Sequence, residues 1–278
     1  MKTILVPTDL SAHSNNALRY ALALSRDWGV TDLVLYHHNP QVYTGEIPVL
    51  YIDDLNQVNA DIAKHLEHEI EKLTAEKPGE KPFPKVRVVV NTSVGTIPSI
   101  IEQAKSEDAD LIVMGSHGKT GLSRLVFGSV TTGVLEVSPI PVLSVPEGYR
   151  YKIVDQIAYA SSLQHFQAEW HQLKKFLGPQ AVQVKVVNLQ YPYSDQTHMH
   201  QAKHLLKTEG DDRVSLEVLE TSPEIRLVDQ LVVYCRKTDP DWLVMFPMRR
   251  DWFEKIILSS KTLELVTHFR RPLLVLHR

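Results

Sequence analysis

The sequence predicts an α/β protein built from two tandem, doubly wound parallel sheets of five strands each, in order 3-2-1-4-5, with helices on both faces. Three observations lead there. Short β-branched apolar runs alternate with amphipathic stretches from the first residue onward, a pattern that implies parallel pairing through right-handed crossovers. The length of 278 residues exceeds the ~150 residues usual for one domain. A stretch of the first half also reappears, in degenerate form, in the second.

The elements of the first half follow in order. Ile4 to Val6 is a strand ending at Pro7, and Ala17, Leu18, Ala21, Leu22 and Leu24 then recur at helical spacing up to Gly29, a helix-ending residue. Leu33 to Tyr36 is the next strand, and His37 to Pro48 reads as a polar loop. Ile62, Leu66, Ile70 and Leu73 mark one face of a long helix, which the Pro- and Gly-bearing stretch from Lys77 to Pro84 breaks. Val86 to Val90 is a strand, Ile97 to Ala104 a helix, Leu111 to Met114 a strand, Gly128 to Val137 a helix and Val142 to Val145 a last strand.

Pro146-Glu147-Gly148-Tyr149-Arg150 is polar and follows the fifth strand, so the expected domains are 1–146 and 151–278. Shifted by 131 residues, Asp110 to Val145 falls on Asp241 to Leu276, with identities at Asp110/Asp241, Val113/Val244, Met114/Met245, Ser129/Ser260, Thr131/Thr262, Pro141/Pro272 and Leu143/Leu274. This marks a duplication. The second half then begins with a strand at Gln156 to Ala160, and Leu163 corresponds to Leu10. Each half ends in an apolar strand, Pro141 to Val145 and Pro272 to Leu276, that would be an exposed edge in a lone domain. The expectation is an intramolecular pseudo-dimer through these last strands, with homo-oligomers a further option.

Composition narrows the function. Thirty Lys and Arg against 33 Asp and Glu give a formal charge of −3, without the positive surplus of a nucleic-acid binder. No apolar run approaches the ~20 residues of a membrane span, and Met1 to Pro7 lacks the h-region of a signal peptide. A cytoplasmic protein acting on neither nucleic acid nor membrane is expected. The single cysteine, Cys235, sits in an apolar run and reads as a buried thiol.

The chemistry concentrates after the fourth strand. Gly115-Ser116-His117-Gly118 is followed, nine residues later, by Gly128-Ser129 opening a helix. Glycines let backbone N–H groups approach a phosphate chain, and a helix N-terminus supplies donors and a favourable dipole. Ser129 and Thr131 in the first turn add hydroxyls to those donors. In the predicted sheet the switch point lies between strands 1 and 4, and ligands bind outside their carboxyl ends, where Pro7-Thr8-Asp9 faces the glycine loop. Asp9 there either accepts from a ribose hydroxyl or an adenine amine, or caps the first helix. Gly118-Lys119-Thr120 is not a Walker A loop, because the first glycine of that motif would fall at Val113 inside a strand. Lys119 and Arg124 are either solvated charges or positive charge near a triphosphate.

Val6-Pro7-Thr8-Asp9, the Met114 to Gly118 turn, the Gly-x2-Gly-x9-Gly-Ser spacing and Pro141-Val142-Leu143 together resemble the ATP-binding branch of the universal stress protein family. The resemblance covers residues 1 to about 146 and, through the repeat, the remainder weakly. It implies a nucleotide-binding α/β fold, an ATP or AMP site (a triphosphate bringing Mg with it), and dimerisation through the last strand. By motif position it carries nucleotide contacts onto Pro7, Thr8, Asp9, Met114, Gly115, His117, Gly118, Gly128, Ser129, Val130 and Thr131. Where the family has a small apolar residue lining the adenine, this chain has His38, which could stack on the base.

The second half departs further, since Gly115, Gly118 and Gly128 fall on Phe246, Arg249 and Ser259, and Asp9 falls on or beside Ser162. It is expected to be a structural partner without the phosphate loop, its crevice filled or covered by Phe246 and Trp252. The pairs His200/His204 and His65/His68, with His198 nearby, have metal-ligand spacing, but no third ligand is fixed locally and solvated histidines are the expectation. The Pro7 to Ser11 segment has neither the His-x-Gly-His turn of a nucleotidyltransferase nor a Ser-Gly-Gly loop, and no base, nucleophile or metal set is recognisable. A nucleotide-sensing binding protein is therefore expected over its two rivals, a slow ATPase and a structural adaptor.

Overall fold

A computed structural model describes residues 1–40, 52–75, 81–116, 128–192, 195–222, 224–225, 227–247 and 271–278. The chain divides into two compact units, the first ending at Tyr151 and the second taking up at Lys152.

The first unit runs β1 (Thr3–Thr8), α1 (Ala12–Trp28), β2 (Asp32–Pro40), α2 (Ile52–Leu73), β3 (Lys85–Ser93), α3 (Thr96–Ser106), β4 (Leu111–Gly115), α4 (Ser129–Val137) and β5 (Val142–Val145). Its strands are parallel, in order β3-β2-β1-β4-β5, as expected from the sequence. Ile4, Leu5 and Val6 of β1 and Leu111, Ile112 and Val113 of β4 are fully buried, because helices cover both faces of a parallel sheet. Helix α1 starts on a reciprocal capping box between Ser11 and Ser14 and stops at Gly29, which takes the left-handed φ of 68°. Its stripe of Ala17, Leu18, Ala21, Leu22 and Leu24 is buried.

Strand β2 is longer than the sequence suggests. His37, His38, Asn39 and Pro40 continue it in register with β3 instead of opening a loop. Their polar side chains are tolerated there because each finds a distant partner. His37 Nδ1 meets the Thr8 carbonyl at 2.8 Å, His38 Nε2 the Ser93 carbonyl at 3.0 Å, and Asn39 Nδ2 donates to Asn59 Oδ1 at 3.1 Å. The segment from Pro146 to Tyr151 is strapped onto α1. Asn16 Nδ2 donates to the carbonyls of Pro146 and Tyr149, and the Tyr151 hydroxyl donates to Asp27 Oδ2 at 2.6 Å.

The second unit runs β6 (Gln156–Ala160), α5 (Phe166–Leu177), β7 (Gln183–Gln190), α6 (Thr197–Glu209), β8 (Val214–Glu220), α7 (Leu227–Thr238), β9 (Trp242–Met245) and β10 (Leu273–Val275). Its strands are also parallel, in order β8-β7-β6-β9-β10, which repeats the first unit. The repeat extends to individual hydrogen bonds. Asp110 Oδ2 accepts from the backbone N–H groups of Lys2 and Thr3, and Asp241 Oδ2 accepts from those of Asp155 and Gln156. Leu10 and Leu163 both sit at left-handed φ, 63° and 65°, and donate their N–H to Thr8 Oγ1 and Ser161 Oγ respectively. The same carboxylate thus anchors the first strand of each unit. Asp110→Ala and Asp241→Ala should each lower stability by about 1 kcal/mol, read by urea denaturation; two neutral substitutions would deny the shared role.

Among the described residues no helix is long and apolar enough to cross a membrane.

Candidate nucleotide site in the first unit

Strand order reverses between β1 and β4, so the connections leaving their carboxyl ends diverge and open a crevice. A cavity of about 240 Å³ lies there. Pro7, Thr8 and Asp9 form its wall at the end of β1, Met114 and Gly115 at the end of β4, and Gly128, Ser129, Val130 and Thr131 at the start of α4. His38 lines it from β2. These are the residues singled out in the sequence, except His117 and Gly118, which lie outside the described residues. The cavity adds four that carried no local signal. Tyr36 reads in sequence as an ordinary core strand residue, Ser14 as part of a helix, and Thr96 and Ile100 as one face of α3.

The start of α4 is arranged for an anion. Gly128 is its N-cap, and among the described residues no side-chain cap bond is made there. The Gly128 N–H donates to the Ser116 carbonyl at 2.8 Å, and the Gly128 carbonyl accepts from Thr132 at 2.9 Å. The N–H groups of Ser129, Val130 and Thr131 follow in the first turn, where the helix dipole favours negative charge. Ser129 is exposed. The Thr131 hydroxyl, expected to add to the phosphate donors, is buried and donates to the Gly115 carbonyl at 2.9 Å, tying α4 to the end of β4.

Gly115 is required by the protein's own backbone. A Cβ at that position would stand 2.7 Å from the carbonyl oxygen of His13, where α1 begins. Gly115→Ala should therefore cost about 1–3 kcal/mol, visible as a lower melting temperature with no nucleotide present; an unchanged melting temperature would mean that α1 shifts freely.

At the β1 end, Ser11 and not Asp9 is the N-cap of α1. Asp9 Oδ1 accepts from the Ser11 N–H at 3.1 Å, which braces the turn through Leu10. Thr8 Oγ1 accepts from the Leu10 N–H and donates to Ser14 Oγ at 3.0 Å.

The β2 end of the cavity carries a buried polar chain. The hydroxyls of Tyr36 and Ser99 lie 2.6 Å apart, Ser93 Oγ donates to Ser99 Oγ at 2.9 Å, and His38 Nε2 lies 3.0 Å from the Ser93 carbonyl and 3.1 Å from its hydroxyl. Pro7, Ile100 and Met114 add apolar surface, so one end suits a flat heterocycle and the other a phosphate.

At the end of β9 in the second unit, aromatic side chains pack together. Phe246, at the position of Gly115, is buried with its ring edge-on to Tyr159 at 5.6 Å; Tyr159 stacks on Phe166 at 6.2 Å, and Phe166 on Trp170 at 6.4 Å. The Tyr159 hydroxyl donates to the buried Glu169 at 2.5 Å, whose other oxygen lies 3.6 Å from Arg278 Nε. Burial, and then the Glu169 carboxylate, push the Tyr159 phenol well above its ordinary pKa. Trp252 lies outside the described residues. Among the described residues no group of three His, Cys, Asp or Glu side chains could hold a metal, and His65, His68, His198, His200 and His204 are exposed.

Comparison with known proteins places this geometry. Residues 1–146 match the universal stress protein family. A universal stress protein of Methanocaldococcus jannaschii is 30% identical over 154 residues, covering 52% of this chain and 81% of that protein. Universal stress protein A homolog 1 of Coxiella burnetii is 31% identical over 147 residues, covering 52% and 95%. Among solved structures, a universal stress protein from Archaeoglobus fulgidus aligns with 99% of this chain and 96% of its own, at a TM-score of 0.69 and 19% identity, a likeness of fold.

Proposed function

The chain belongs to the universal stress protein family, and from that premise we propose that its first unit binds one adenine nucleotide, ATP or AMP, and works as a nucleotide-dependent sensor or regulator in the stress response. The observation that carries this reading is the cavity between the ends of β1 and β4, with the glycine-capped start of α4 at one end. A phosphate chain would lie against the first turn of α4, supplied by Gly128 to Thr131, and ATP would bring Mg with it. A ribose would face Asp9, and the base would lie among Pro7, Met114, Ile100 and His38. The second unit, with the buried Phe246 in place of Gly115, acts in this reading as a structural partner, so one nucleotide per chain is expected. Competition binding with labelled ATP tests the reading; no binding would leave the adaptor role.

A binder is favoured over an enzyme by how the titratable groups of the cavity are engaged. Asp9 is held by Ser11, Tyr36 by Ser99 and His38 by Ser93, and none of these pairs is a nucleophile with its base. Multiple-turnover phosphate release should therefore run far below the ~10 s⁻¹ typical of enzymes. Sustained release near that rate, abolished by Gly128→Val, would make the protein an ATPase.

A further inference from the structure

We propose that the groove between α5 and α6 docks an acidic peptide segment of a partner protein, through histidines that add positive charge as pH falls. The groove belongs to the second unit alone, encloses about 1060 Å³, and runs from Leu163 to Gln172 along one wall and from His198 to Glu209 along the other. Four histidines line it, His165 and His171 on the α5 side and His198 and His204 on α6. All four are exposed, so a ligand in the groove can reach them. Among the described residues no three His, Cys, Asp or Glu side chains could share a metal ion, so the cluster is not a metal site. The α6 wall extends about 16 Å at 1.5 Å per residue, the reach of about five residues of extended chain.

The charge around the groove is one-sided. Both carboxylates carried by its helices are engaged: Glu169 is buried and takes the Tyr159 hydroxyl, and Glu209 accepts from Trp170 Nε1 at 2.8 Å and from Lys174 Nζ at 2.5 Å. Lys175, Lys203 and Lys207 then have no carboxylate of the two helices left for them. On a chain of net charge −3, this is a cationic face complementary to an acidic partner. Histidine adds to it, being the side chain that gains a charge between about pH 5 and 8. The other charged groups around the imidazoles are His200 on α6, Asp211, which is paired with Arg213, and Asp195 ahead of α6. Asp195 accepts from the Thr197 N–H and hydroxyl, and its carboxyl is held below the usual range first by those bonds and then by His198 and His200. It opposes a partner at His198, which leaves His165, His171 and His204 as the main contacts. The lining also favours a peptide over other polyanions. Nucleic-acid bases stack on exposed rings, whereas Phe166 in this groove is buried. A lipid surface needs apolar side chains to insert, and the large exposed ones, such as Val94, Ile153 and Val233, do not line it.

The test is fluorescence anisotropy of a rhodamine-labelled, six-residue peptide of alternating glutamate and leucine, titrated with the full chain beside the same peptide carrying glutamine for glutamate. At pH 6 the acidic peptide should bind at least about tenfold more tightly than the glutamine peptide, and its affinity should fall at least about tenfold between pH 6 and pH 8. The glutamates of the peptide stay ionised across that range, so the change belongs to the chain. His171→Gln combined with His204→Gln, one from each wall, should remove most of this pH dependence and leave the melting temperature unchanged, since both side chains are exposed. His68→Gln, on α2 of the first unit, should leave binding as in the wild type. Equal affinity for the two peptides, a pH dependence that survives the paired variant, or a single-stranded oligonucleotide bound as tightly as the acidic peptide overturns the proposal. Absence of binding at pH 6 overturns it too. The nucleotide reading of the first unit is tested separately, by ATP competition, and does not depend on this groove.

Discussion

ATP should raise the melting temperature of the wild-type chain by about 5–10 °C, and Gly128→Val should abolish that rise. At a nucleotide concentration about a hundred times the dissociation constant, binding to the folded state alone stabilises it by roughly 2.7 kcal/mol, and each kcal/mol is worth about 2–4 °C for a domain of this size class. Gly128 is the N-cap of α4 at φ −58° and ψ 149°, an extended conformation that valine adopts without strain. The substitution thus spares the backbone while placing a branched Cβ beside the first-turn N–H groups of α4. The fold should survive and the ligand effect should not. Differential scanning calorimetry with and without ATP measures both. A shift that persists in Gly128→Val, or a calorimetric stoichiometry near two, would move the site to another loop or into the second unit.

The parts legible in the sequence are those set by local pattern. The apolar runs of β1 and β4, the capping and stop signals of α1, and the glycine opening α4 each depend on a few neighbouring residues. The duplication was visible because Asp110 and Asp241 anchor the same two backbone groups in each unit, a role that other side chains fill poorly. The parts that were not legible depend on residues far apart in the chain. Nothing near His37, His38 and Asn39 announces that they continue a strand, since their partners are Thr8, Ser93 and Asn59. Gly115 reads as an approach for phosphate, but a Cβ there would meet the His13 carbonyl, brought close by the packing of α1 on β4. Thr131 reads as a phosphate donor, and only the fold shows that its hydroxyl has the Gly115 carbonyl as a partner. In the second unit, loss of the glycines was plain, whereas the Tyr159–Glu169 pair within the aromatic stack could be found only from the fold.

The second unit should lose stability steeply above about pH 9. Burial pushes the Cys235 thiol up to about 12, against the opposing charge of Arg271. The phenols of Tyr159 and Tyr234 are also raised, by burial first and then by Glu169 and by the hydrogen bond to Glu217 respectively. Each group keeps its proton in the folded unit at a pH where the unfolded chain has released it. A raised pKa therefore contributes nothing below the unfolded value, and stability falls as pH climbs from that value toward the folded one. For Cys235 the unfolded value is about 8.5, and the fall is about 1.36 kcal/mol per pH unit, or roughly 4 kcal/mol by pH 12. The two tyrosines add equal slopes once pH passes about 10. Urea denaturation in steps from pH 8 to 11, followed by the fluorescence of the buried Trp170 and Trp242, reads the slope directly. Cys235→Ala should flatten it between pH 9 and 10, where the tyrosines of the unfolded chain are still largely protonated, and Tyr234→Phe should flatten it above pH 10. If Cys235→Ala instead retains the wild-type slope between pH 9 and 10, the thiol ionises as readily in the folded unit as in the unfolded chain, and the apolar packing around α7 does not exclude charge.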